Sequence, residues 1–185
     1  MRLFYAVQHP TLGMVRNLSI EGTDGQKLQS MKPHSSLKIL YVDMDNVLVD
    51  FASAFPMLST DTLQQYQDRL DEVPDIFSLM SPIDGAIEAF AELSQIFDTY
   101  VLSTSPWENP SAWSDKLNWV KQHLGSFAYK RLILSHHKNL NVGNFLIDDR
   151  TKNGADAFQG EHIHFGAPRF PDWPKVLEYL RARAA

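Results

Sequence analysis

Five short apolar runs, separated by stretches of helical pattern, constrain this chain more than any other feature. They are LKILYVD (37–43), TYVLSTS (99–105), KRLILS (130–135), NFLIDD (144–149) and HIHFG (162–166). Each has the length of a buried strand, and near-continuous apolar strands belong to sheets covered on both faces. After the first run, Ile87, Phe90, Leu93 and Phe97 recur at helical spacing, on a helix starting near Asp84. Trp113, Leu117, Val120 and Leu124 repeat the pattern, which puts Lys116 and Lys121 on the opposite side. Asn109, Pro110 and Gly125 supply that helix with an N-cap, a first-turn proline and a terminating glycine. A last helix begins at Asp172, with Trp173, Val176, Leu177 and Leu180 on one face. The alternation predicts an α/β fold: a Rossmann-like three-layer sandwich with about five parallel strands. Only about eight residues join the third run to the fourth, fewer than a parallel crossover takes, so one short helical turn is expected there.

Two segments fall outside the alternation. Residues 52–81 carry Phe55, Met57, Leu63, Tyr66, Leu70, Ile76 and Phe77 and are too long for a simple loop after a strand. They predict a small helical cap over the C-terminal end of the sheet, where open α/β sheets bind ligands. Residues 1–36 combine a short apolar run, Leu3 to Val7, with glycines and a polar stretch ending MKPHSS. They read as a peripheral hairpin or poorly ordered extension, with a lid or oligomer contact as the sharper alternative.

Charge and composition narrow the function. With 17 Lys+Arg against 22 Asp+Glu the net charge is −5, which argues against a nucleic-acid polymer or a membrane surface as partner. The absence of cysteine excludes disulfides, thiolate metal sites and cysteine nucleophiles. No apolar run approaches the roughly 20 residues of a membrane span, and the first residues do not form a secretory h-region. A cytoplasmic protein is expected.

Chemistry concentrates where the strands end. In YVDMDNVLVDF (41–51) a strand runs into two carboxylates, Asp43 and Asp45, at spacing i, i+2. Taken alone, such aspartates often only cap helices or bind turn amides. The second strand, however, ends in Thr104-Ser105-Pro106, Lys138 follows the third by three residues, and the fourth ends in Asp148-Asp149-Arg150. Carboxylates, hydroxyls and a cation thus meet at one sheet edge. Clustered carboxylates repel unless a hard cation such as Mg²⁺ holds them, and a carboxylate nucleophile can form an acyl phosphate. Phosphoryl transfer is the chemistry that uses this set.

DMDNV, Thr104-Ser105, Lys138 and Asp148-Asp149 resemble, in order, the four motifs of the haloacid dehalogenase-like (HAD-like) phosphatases. DMDNVLVDF, STSPW, LSHHK, LIDDRTKNGA and EHIHFG further resemble the bacterial 5′(3′)-deoxyribonucleotidase family over about residues 37–182. The resemblance implies that Asp43 is the nucleophile and a Mg²⁺ ligand. It implies that Asp45 is the general acid and base, its backbone carbonyl also a metal ligand. Thr104, Ser105 and Lys138 would bind phosphate, and Asp148 or Asp149, with Asp149 favoured for direct ligation, would complete the metal site. Phe51 falls where the family sets an aromatic against the nucleobase, although a core role fits it equally. Phe55, Phe77 and Trp107 are further candidates for the pocket wall. Asn46 stands where the family often has Gly and tolerates the same left-handed geometry.

The resulting expectation is a Mg²⁺-dependent phosphatase domain at 37–185, acting on deoxyribonucleoside monophosphates with dUMP or dTMP first. Another small phosphomonoester, such as a sugar phosphate, and a non-catalytic nucleotide-binding module are the alternatives. A homodimer is compatible with the sequence, which sets no oligomeric state. His136-His137 and the His162/His164 pair suggest a transition-metal site, but packing explains the latter and phosphate orientation the former. Asn17-Leu18-Ser19 has glycosylation spacing with no sign of secretion beside it.

Overall fold

A computed structural model describes residues 37–184. The expected N-terminal extension lies outside the described residues. The strands are β1 (Ile39–Val42), β2 (Val49–Asp50), β3 (Ser81–Pro82), β4 (Asp98–Ser103), β5 (Leu132–Leu134), β6 (Phe145–Asp148) and β7 (Glu161–His164). The α-helices are α1 (Thr60–Gln65), α2 (Ala86–Ile96), α3 (Ser111–His123) and α4 (Trp173–Arg181). Five strands form one parallel sheet in the order β5-β4-β1-β6-β7, so each expected run contributes one strand. The chain moves outward from β1 to β4 and β5, then returns to the other side of β1 for β6 and β7. That reversal opens a crevice at the C-terminal end of β1, where such sheets bind ligands.

Register carries the site residues to one edge. Val42 pairs with Val101 on one side and Ile147 on the other. The Asp43 N–H donates to the Ile147 carbonyl at 2.8 Å, so the central strands end nearly level. Side chains alternate across the sheet. Leu40, Val42, Val101, Phe145, Ile147 and Ile163 face the larger core, which holds the buried residues of α2, α3 and α4. Tyr41, Leu102 and Leu146 face a smaller cluster closed by Ala155 and Phe158.

The two outer layers differ in substance. Helices cover the larger core, whereas turns and extended chain cover the smaller one. The connection from β5 to β6 holds one 3₁₀ turn, Lys138–Leu140, matching the expected short turn. It then runs against Tyr41, whose hydroxyl donates to the Val142 carbonyl at 3.0 Å. A Cβ at Gly143 would lie 2.6 Å from the Tyr41 ring, so only glycine lets the chain pass this closely.

The segment after β2 consists of short pieces. These are a 3₁₀ turn at Phe51–Met57, α1, and two further 3₁₀ turns at Leu70–Glu72 and Ile76–Ser78. Its two ends are joined by the antiparallel pair β2 and β3, which the sequence pattern did not reveal. Two residues per strand give no periodicity to read. The Ser81 N–H donates to Ser53 Oγ at 2.8 Å and reinforces this neck.

Helix α3 differs from its predicted orientation. Lys116 is fully buried, while Trp113 and Leu117 are 42% and 40% exposed. The inward row is Ala112, Asp115, Lys116, Trp119 and Val120, also at helical spacing. Asn109 does not use its side chain as an N-cap. Its amide donates to the Asp71 and Val73 carbonyls, both at 2.9 Å, and its own carbonyl accepts the Ala112 N–H. Trp119 Nε1 donates to the Met80 carbonyl at 2.9 Å, and the Asp75 N–H to Ser111 Oγ at 2.7 Å. Polar side chains on and before α3 are therefore spent on the irregular segment, whose backbone groups need partners. Gly125 has the left-handed conformation expected just past the helix.

Candidate active site

The loop after β1 is built so that two carboxylates leave it on one side. Met44 is fully buried, and Asp43 and Asp45 flank it on the alternate positions. The Met44 carbonyl accepts the Leu48 and Val49 N–H groups at 2.8 and 2.9 Å, closing a tight turn. Asn46 takes the left-handed conformation there, with φ of 55°, as the sequence led one to expect. The turn is held from behind by Trp173, whose Nε1 donates to the Val47 carbonyl at 3.0 Å.

Lys138 sits among the carboxylates. Its Nζ lies 2.5 Å from Asp148 Oδ2 and 2.9 Å from Asp43 Oδ1. All three side chains are nearly inaccessible. The Lys138 N–H donates to the Asn153 carbonyl at 2.8 Å, fixing the turn that carries it. Burial works against the ammonium, yet the charges of Asp43 and Asp148 outweigh it and hold the lysine pKa above its ordinary value. Burial pushes the Asp148 carboxyl up to about 6, with Asp43 adding to the rise and Lys138 opposing it. Asp149 is also raised, chiefly by burial, against the pull of Arg150.

Asp43, Asp148 and Asp149 each offer an oxygen within 4.8 Å of the others. Asp43 Oδ2 and Asp149 Oδ1 are buried without a hydrogen-bond donor, and Asp43 Oδ1 has only the Lys138 ammonium beside it. Buried carboxylate oxygens left without donors are costly unless something neutralises them. An all-oxygen donor set of this kind fits a hard divalent cation. The remaining contacts orient the set: Asn46 Nδ2 donates to Asp149 Oδ2 at 3.2 Å, and the Arg150 N–H to Asp148 Oδ1 at 2.9 Å.

Asp45 is held separately. Lys116 Nζ donates to its Oδ2 at 2.6 Å and to Ser103 Oγ at 3.0 Å. Burial raises the Asp45 carboxyl pKa; Lys116 pulls it down and Asp43 pushes it up. Lys116 escaped the sequence reading because Trp113 and Leu117 defined a competing face. The usable signal was the row Ala112, Lys116, Trp119 and Val120, which puts a lysine in line with apolar residues.

A cavity of about 450 Å³ opens beside Asp45, lined among others by Asp45, Asn46, Thr104, Arg150 and His136. Phe51, Phe77 and Trp107 supply its aromatic side. Phe51 is half-buried, 5.4 Å from Phe55 edge-on and 5.9 Å from Phe77. Trp107 is 77% exposed and meets the His136 ring at 5.8 Å. The Thr104 hydroxyl donates to the Ser135 carbonyl at 2.8 Å, whereas the buried Ser105 hydroxyl has no partner. The structure thus gathers Asp43, Asp45, Lys138, Asp148, Asp149, Thr104, Ser105 and Phe51 at one end of the sheet. Arg150 and Asn153 line the cavity without having been singled out. His162 and His164 stack on each other, and His162 Nε2 lies 3.3 Å from the Asp148 carbonyl. Neither belongs to the acidic cluster.

The family profile of the 5′ nucleotidase, deoxy (pyrimidine), cytosolic type C proteins matches residues 56–173. This chain belongs to that family. A putative 5′(3′)-deoxyribonucleotidase of Vibrio phage KVP40 is 61% identical over 142 residues, covering 77% of this chain and 84% of the phage protein. The human cytosolic-type 5′(3′)-deoxyribonucleotidase is 30% identical over 171 residues, covering 77% of this chain and 79% of its own length. A haloacid dehalogenase-like hydrolase from Streptococcus pneumoniae superposes with a TM-score of 0.47 at 14% identity, over 78% of this chain and 91% of that one. Membership puts this deoxyribonucleotidase relative among the hydrolases of phosphomonoesters. No helix among the described residues is long and apolar enough to cross a membrane.

Proposed function

We propose that this family member is a Mg²⁺-dependent phosphatase of deoxyribonucleoside monophosphates, with dUMP and dTMP as first substrates. The observation that carries the reading is Asp45, a buried carboxyl of raised pKa at the wall of the cavity, beside Asp43 and facing aromatic rings. In this reading the Asp43 carboxylate attacks phosphorus and Asp45 gives its proton to the departing sugar oxygen. Asp45 then takes a proton from the water that hydrolyses the aspartyl phosphate. A carboxyl that serves as acid and then base needs a pKa lifted towards neutrality, and burial supplies that lift.

Asp43, the Asp45 backbone carbonyl and Asp149, with Asp148 beside it, would hold Mg²⁺. When bound, the ion supplies charge neutralisation for the phosphoryl oxygens. Lys138 ties the phosphate to the nucleophile. Ser105, with an uncommitted hydroxyl, donates to a phosphate oxygen, and Thr104 joins it on release from the Ser135 carbonyl. Phe51, with Phe77 behind it and Trp107 across the cavity, stacks on the base. Residues 51–81 act as the cap that selects a small substrate. The catalytic unit is 37–185, with residues 1–36 outside it, and the enzyme works in the cytoplasm, as the name of the human relative suggests.

Phosphate release is the test, measured on dUMP, dTMP, dGMP, UMP, 3′-dUMP and sugar phosphates, with Mg²⁺, with EDTA and with Asp43→Asn. Turnover confined to deoxynucleotides and lost in both controls is expected. Activity on sugar phosphates alone would discard the substrate, undiminished activity in EDTA the metal, and a wild-type rate in Asp43→Asn the nucleophile.

A further inference from the structure

A fully buried lysine outside the phosphate-binding set deserves a role. Lys116 has no exposed surface and does not line the cavity, so it does not reach a substrate there. Its ammonium instead meets three groups of different origin. Asp45 Oδ2 lies at 2.6 Å, the Ser103 hydroxyl at the end of β4 at 3.0 Å, and the Phe77 ring face 4.5 Å from Nζ to centroid. Asp45 and Phe77 both line the cavity. Burying an ammonium is expensive, and the usual compensation is a partner of opposite charge in good geometry. Here one oxygen of Asp45 provides that compensation and the other, Oδ1, is left without a hydrogen bond. The carboxylate is therefore held by one oxygen, while the second is buried without a hydrogen bond.

We infer that Lys116 is the positioning residue of this site: it fixes the orientation of the Asp45 carboxyl at the cavity wall, and it braces Phe77 behind the same carboxylate. The inference rests on the acid–base reading of Asp45 given above. Helix α3 suits this task because it is anchored to the cap segment. Trp119 holds the Met80 carbonyl, and Ser111 accepts the Asp75 N–H. The lysine thus links the helix that supports the cap to the carboxyl that handles the proton.

The test compares substrates that differ in their need for a proton at the leaving oxygen. Lys116→Met is assayed on dUMP, whose leaving alkoxide requires protonation, and on p-nitrophenyl phosphate, whose phenolate departs without it. The kcat/KM values report the step up to loss of the leaving group. On dUMP a loss of about 100-fold is expected, the low end of what a positioned acid contributes. On p-nitrophenyl phosphate the loss is expected to be at least tenfold smaller. The double variant Asp45→Asn/Lys116→Met, which removes both charges, is expected to match Asp45→Asn alone, since Lys116 acts through that carboxyl. It decides the matter even where the single variant does not fold. Equal losses on the two substrates, or a double variant more than tenfold below Asp45→Asn, would overturn the inference. A wild-type rate for Asp45→Asn on dUMP would instead refute the acid–base reading itself. A damaged Asp45→Asn beside an unaffected Lys116→Met would sink only the role given to Lys116.

Discussion

Replacing Lys138 with methionine tests how the acidic cluster is balanced. The substitution keeps the length of the side chain and removes the cation 2.5 Å from Asp148 and 2.9 Å from Asp43, all three groups being buried. Breaking a buried pair by removing one partner costs about 3–5 kcal/mol, because a charge is left buried and uncompensated. That is a large share of the roughly 5–15 kcal/mol of a typical domain. The sign of the pH dependence follows from Asp148, whose carboxyl is already raised from 3.8 to about 6. A raised carboxyl binds its proton more tightly in the folded protein, so stability falls as pH rises from near 4 to near 6. The rise corresponds to about 3 kcal/mol in the wild type. Without Lys138 the carboxyl rises further, so the deficit of the variant is largest at neutral pH and shrinks where Asp148 is protonated. Urea unfolding followed by circular dichroism in EDTA, at pH 7.5 and pH 4.5, measures both. A variant as stable as wild type at pH 7.5, or a deficit that grows on acidification, would refute this account of the cluster.

Four further outcomes are expected. Because a metal-binding carboxylate must be ionised, Mg²⁺ affinity measured by calorimetry should weaken as pH falls through about 6, and equal affinities at pH 5.0 and 7.5 would contradict the placement of Asp148. Trp173→Ala should cost about 3–5 kcal/mol, seen as a lower Tm, since it opens a cavity and orphans the Val47 carbonyl behind the Asp43–Asp45 turn. Phe51→Ala should raise KM for dUMP by about tenfold, the lower range of a stacking contact, and leave deoxyribose 5-phosphate little changed. Deleting residues 1–30 should preserve turnover on dUMP, and total loss in a folded product would place that segment in the site.

The sheet was legible because each strand is an uninterrupted apolar run of the right length, and the edge chemistry was legible because strand ends fix where the next residues go. Asp43, Lys138 and Asp148 could be assigned to one edge from order alone. Helix α3 was harder for a physical reason. Its exposed side carries Trp113 and Leu117, its buried side Lys116 and Asp115, so hydrophobicity points the wrong way around the helix. A buried ion pair can be read only when both partners are placed, and Asp45 lies 71 residues away from Lys116 in the chain. The β2–β3 neck was invisible because two-residue strands have no period. Asn109 looked like a cap because its usual partner is local, whereas here its amide serves the Asp71 and Val73 carbonyls.

The connection from β5 to β6 acts as a ruler. It must cross under β4 and β1 and return along the sheet, and it does so in the ten residues between Leu134 and Phe145. Three strand spacings of about 4.8 Å and, at right angles, a return of roughly four residues' rise come to about 20 Å, more than half of the roughly 33–36 Å that ten extended residues span, and the 3₁₀ turn shortens that reach. Helical crossovers carry slack in their loops; this short one carries less. The position of the Lys138 ammonium is therefore set by chain length as well as by its ion pairs. Insertions are absorbed easily between β2 and β3, where the ends are already clamped together. A single residue added or removed between Asn139 and Asn144 would instead move the cation relative to Asp43, and the site would lose its alignment without losing any of its residues.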